Sequence, residues 1–124
     1  MSEQASARPA ICVDLRRQRI RIHRKTLRAI GSPDYILLLI NPEEVAIALL
    51  RGERTDPKAH RVKAPIAKGD SFELCSMSLL QKLPLLCEKF KTIDSYRLYG
   101  EIIKNGEAVL FHLNEAESIN GRTQ

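Results

Sequence analysis

The chain has 124 residues, 44% hydrophobic and 28% charged, which suits one domain with a buried core, and no run approaches the roughly 20 apolar residues of a membrane-spanning helix. Aromatic residues are only 5%, with no tryptophan, which argues against an aromatic-lined sugar site or a stacking platform for single-stranded nucleic acid. The formal net charge of +5 is unevenly spread: residues 1–30 carry eight Arg/Lys against two acids, and residues 51–70 carry six against three.

Residues 1–9 lack a basic n-region and an apolar h-region, so they read as a flexible lead rather than a secretory signal. From Ile11 to His23 the pattern has period 2, with Ile11, Val13 and Leu15 on one face and then Ile20 and Ile22 opposed to Arg19, Arg21 and His23. That is strand, with the arginines outward. In KTLRAIGSP the apolar Leu27 and Ile30 precede Gly31 and Pro33, which predicts a helix of about two turns ended by a left-handed glycine. The runs 35–40 and 45–50 flank Asn41-Pro42-Glu43-Glu44 and predict a hairpin. Nearly every position in it is apolar, so burial on both faces, or at a homodimer interface, is expected.

Residues 52–70 read as a linker, with one short strand near His60–Lys63. A strand at Ser71–Cys75 follows. Leu79, Leu83, Leu86 and Phe90 then share one helix face, and Pro84 predicts a kink or a new helix start. The segments 95–103 and 108–113, joined through Asn105-Gly106, predict a second hairpin, with Gly100 marking a bulge. Residues 114–124 read as a polar, flexible tail.

The order strand, helix, hairpin thus occurs twice, over 10–51 and 71–113. An offset of 52 places Ile20 on Phe72 and Leu27 on Leu79, and an offset of 61 places Tyr35 on Tyr96. The expected fold is α+β: a small barrel or two-layer sheet built from two pseudo-repeated βαββ units that close on each other as a single compact domain.

The basic stripe Arg16, Arg17, Arg19, Arg21, Arg24 and Arg28 has two readings. It is either a solvated strand face, or a phosphate-contacting surface that uses the bidentate geometry of arginine. No other chemistry competes with it. His23, His60 and His112 form no metal-ligand motif, and His23 meeting Cys75 across a pseudo-twofold axis would supply only two of the four ligands of a structural zinc. Cys75 and Cys87 read as small core residues, and Cys12, Cys75 and Cys87 together suggest a reducing cytoplasm rather than a disulfide framework. Walker, dinucleotide-binding and nucleophile-elbow motifs are missing. No enzyme, cofactor, metal, membrane or small-molecule substrate is therefore expected.

Residues 13–50, through Arg19-Ile20-Arg21-Ile22, Leu27, Ile30-Gly31 and the 35–50 hairpin, resemble the AbrB-like swapped-hairpin domains of bacterial transition-state regulators and antitoxins. The two-copy chain is similar to the MraZ arrangement. His23 stands where that pattern has proline, and Arg17-Gln18 where it has glycine. The resemblance implies a cytoplasmic, non-enzymatic DNA-binding protein, a transcriptional regulator, whose Arg16, Arg17, Arg19, Arg21 and Arg24 contact duplex DNA, and Arg28 on the following helix would extend the same positive surface. The alternative is a protein–protein interaction module with no nucleic-acid role.

Overall fold

The structure, a computed structural model, describes residues 8–62 and 71–119. The expected flexible ends at 1–7 and 120–124, and the linker residues 63–70, lie outside the described residues. Along the described chain run β1 (Ala10–Asp14), β2 (Arg19–His23), α1 (Arg24–Ala29), β3 (Tyr35–Asn41), β4 (Ala46–Arg51), β5 (His60–Arg61), β6 (Ser71–Leu74), α2 (Met77–Leu86), β7 (Ser95–Ile103), β8 (Ala108–His112) and β9 (Glu117–Ser118). The α+β expectation, with two helical segments, holds.

The strands form one antiparallel path, β5-β3-β4-β8-β7-β1-β2-β6, with β9 added to β7. Its two ends come back toward each other. β3 and the loop before β5 form one wall of a groove, and the start of α2, just after β6, forms the other. The sheet is therefore a nearly closed barrel, filled by inward side chains of alternate residues: Ile11 and Val13, Ile20 and Ile22, Ile36, Ile47 and Leu49, Leu98, Val109 and Phe111. α2 plugs it with Leu79, Leu80 and Leu83.

Local chemistry accounts for the elements. α1 ends in a Schellman motif, in which Ser32 N donates to Leu27 O at 2.8 Å and Gly31 N to Arg28 O at 3.0 Å, with Gly31 at φ +86°. α1 is tied to β1 by Thr26, fully buried, whose Oγ1 accepts from Ala10 N and donates to Ala10 O, both at 2.7 Å. The first hairpin turns where Asn41 Oδ1 accepts from Glu43 N and Glu44 N. The second turns through Asn105 and Gly106, both left-handed.

Several expectations are corrected. Pro84 neither kinks the helix into two nor starts one. It sits in the last turn of a single helix that ends at Leu86, where its missing N–H gives up one intrahelical bond, to the Leu80 carbonyl, and Cys87 N still bonds Leu83 O at 3.0 Å. Phe90 is buried from the loop beyond that helix, against Tyr96, with ring centroids 4.6 Å apart. Gly100 marks a close approach rather than a bulge. The registers with β1 and β8 are unbroken on either side of it, and a Cβ there would lie 2.6 Å from Val109 Cγ1 and 2.7 Å from Phe111. The first hairpin is not buried on both faces within one chain: Leu37 and Leu50 are half-buried and Leu39 is 42% exposed. Cys75 is exposed, whereas Cys87 is in the core. The chain stays on the body of the fold to Ile119, because Ala116 is buried and Glu117–Ser118 pair with β7.

Candidate nucleic-acid interface

β2 carries the stripe as its alternation dictates. Ile20 and Ile22 are fully buried and Arg19 and Arg21 fully outward. β2 lies between β1 and β6, with Asp14 opposite Arg19 on one side and Glu73 opposite Arg21 on the other. Glu73 clasps both arginines: Arg19 Nη1 reaches Oε1 at 3.1 Å, and Arg21 Nη2 and Nε reach Oε2 at 3.0 and 3.2 Å. Hydrogen bonding from Arg21 holds the Glu73 carboxyl below the usual carboxylate range; partial burial opposes this, and Arg19 adds to the lowering. The pair geometry is good, but all three side chains are more than a third exposed, so the clasp contributes little to stability.

The tip of the β1–β2 turn extends the cationic surface. Arg16 and Arg17 are exposed, Gln18 takes φ +61°, and Arg17 N donates to Asp14 Oδ1 at 3.0 Å, which closes the turn. Arg17, Arg19 and Arg21 line one cavity of about 510 Å³, shared with Asp14, Glu73 and Cys12. The other two sequence-predicted cations lie elsewhere. Arg24 opens α1 and is half-buried, while Arg28, in the last turn, lines a different cavity with Arg51 and Lys104. The stripe therefore divides into a convergent group at residues 17, 19 and 21, flanked by Arg16, and a second basic area around Arg28.

His23 lies on the same face of β2 as Arg19 and Arg21, but it is half-buried there. Its Nε2 lies 3.7 Å from Cys12 Sγ, and its strand partner is Ser71, so it meets neither Cys75 nor a zinc-type cluster. Across three strands Arg97, Cys12 and Arg21 stand in one row, and hydrogen bonding with Cys12 raises Arg97 above the ordinary arginine range. The residue that sequence reasoning missed is Glu73. It stands 52 residues beyond Arg21 in sequence, and the pairing of β2 with β6 sets the two opposite each other.

No group of three or more metal-ligating side chains occurs among the described residues, and none of their helices is long and apolar enough to cross a membrane. Comparison with family models, curated proteins and solved structures finds no match.

Proposed function

We propose that this chain is a non-enzymatic, cytoplasmic DNA-binding protein of the regulator type, which grips duplex phosphates with Arg16, Arg17, Arg19 and Arg21. The observation that carries the reading is the convergence of Arg17, Arg19 and Arg21 on one cavity, with Arg16 beside them, exposed at the β1–β2 turn. Arginine forks spaced along a strand and its turn match the repeating, bidentate geometry of phosphates. Asp14 and Glu73 reduce the local charge, so affinity is expected to be modest and strongly salt-dependent.

Two pseudo-repeated βαββ halves belong to the same reading. Register supports them: β2 meets β6 at Arg21↔Glu73, whose numbers differ by 52, and β4 meets β8 at Ala48↔Leu110, which differ by 62. The pairs that flank the two hairpin turns, Asn41↔Ala46 and Ile103↔Ala108, also stand 62 apart, one more than the 61 suggested by matching Tyr35 to Tyr96.

A duplex titrated at several salt concentrations tests the proposal. Binding should fall steeply with salt, and replacing Arg19 and Arg21 by alanine should lower the log–log slope by up to about two units while leaving folding intact. Equal binding by parent and double variant would reduce the stripe to a solvated face.

A further inference from the structure

We propose that the edge of β3 left unpaired among the described residues receives an extended, acidic segment of a partner protein, which joins the sheet as an added strand in the barrel seam. β4 pairs with β3 along Ile36–Asn41, but β5 does so only at Tyr35 and Ile36. The hydrogen-bond parity is fixed on both sides. Gly52 N reaches Tyr35 O at 2.7 Å on the β4 side, and Val62 N reaches Asp34 O at 2.8 Å on the β5 side. Alternation then turns the N–H and C=O groups of Leu38 and Ile40 toward the β5 side, away from β4. No strand among the described residues takes them up.

Those groups open on a groove of about 640 Å³ between β3 and the start of α2. Leu38, Ile40 and Leu79 supply apolar surface, while Lys58, His60 and Lys82 supply the charge, and no acidic residue lines it among the described residues. Two further features of α2 favour anionic side chains there: Ser76 makes no capping bond with its side chain, and the first turn contains no acid. An extended segment suits such a site because its backbone completes the ladder, its alternate apolar side chains cover Leu38 and Ile40, and its carboxylates meet the lysines. Charge selects the occupant. A second copy docked edge to edge would bring Lys58 and Lys82 of both chains to one seam, and a nucleic-acid backbone would lay phosphates on apolar residues. The site is separate from the arginine cavity, so it stands whether or not duplex binding does.

The test uses the full chain and a fluorophore-labelled, blocked hexapeptide of alternating valine and glutamate. The expected result is saturable binding that weakens with salt, is absent for the valine–lysine counterpart, and is abolished by N-methylation of the valines. Lys58 and Lys82 are exposed, so Lys58→Glu/Lys82→Glu should keep its unfolding curve while weakening the peptide by about tenfold or more. Hydrogen exchange should show the Leu38 and Ile40 amides gaining protection only when peptide is added. No binding at millimolar peptide, binding indifferent to the charge reversal, or protection of those amides that rises with protein concentration alone would each overturn the proposal.

Discussion

β2 and β3 are both short strands rich in branched aliphatic residues, yet the fold treats them in opposite ways. β2 alternates strictly, sits between two strands, and has its outward arginines clasped by a neighbour. β3 is apolar at six of its seven positions, but among the described residues it has a strand on one side only over most of its length, and its burial is graded rather than alternating. Alternation declares which face goes inward. A uniformly apolar run leaves that undeclared, and here the surplus is spent on an open edge rather than on a second buried face.

The sharpest way to break this contrast is to remove one aliphatic side chain from each strand. Ile22→Ala in β2 should cost roughly 2–5 kcal/mol, because the side chain is fully buried and the barrel around it cannot collapse. Leu39→Ala in β3 should stay within about 0.5 kcal/mol. Urea unfolding of the two variants measures both, and a comparable loss at Leu39 would mean that its outward face is covered after all.

The next effect comes from the strand that links the two regions. β7 pairs with β1, beside β2, through its first half, and with β8, which leads on to β4 and β3, through its second. The exchange occurs at Gly100, whose N donates to Pro9 O at 2.9 Å. Gly100→Ala places a methyl group inside contact distance of Val109 and Phe111, neither of which can swing away from a filled core. A loss of roughly 1–3 kcal/mol is expected in thermal or urea unfolding. A neutral result would show that β7 and β8 can separate there without cost. Tyr96→Phe follows at about 1–2 kcal/mol, since its hydroxyl accepts from Lys91 N at 2.7 Å and donates to Lys89 O at 2.9 Å, and its loss leaves both ends of that loop unbonded.

The same contrast explains what could be read from the residues alone. The strand at 19–23, the glycine stop after α1 and both hairpins were legible because each depends on neighbours in sequence: alternation, a left-handed glycine, an Asn-Gly pair. The seam was not legible, because which edge of β3 remains open depends on how far β5 extends, a matter of tertiary pairing. Cys75 misled for a related reason. Apolar neighbours in sequence imply burial only inside an element, and Cys75 lies between β6 and α2, where the chain turns outward. The stripe itself was legible, but its counter-ion was not. Glu73 sits 52 residues from Arg21 in sequence, and only the pairing of β2 with β6 brings them together.

Glu73 gives a small effect on stability and the clearest link between charge and function. Glu73→Gln removes a clasp whose members are all substantially exposed, so the stability change should be under about 1 kcal/mol at neutral pH. Its sign follows from the lowered carboxyl. The folded state holds Glu73 ionised more readily than the unfolded chain does, so the stabilisation is complete above the ordinary carboxylate pKa of about 4.3 and fades as the pH falls through the lowered folded value. The difference between parent and variant should therefore shrink in acid, which unfolding curves from neutral pH downward would measure. Duplex binding should move the other way, because neutralising Glu73 releases Arg19 and Arg21 from their shared counter-ion. Under the proposed function, Glu73→Gln binds duplex more tightly at low salt and with a slope steeper by up to about one unit. If the variant binds no better than the parent, phosphates are not competing with Glu73 for these arginines, and the cationic tip at Arg16 and Arg17 would have to carry the contact by itself.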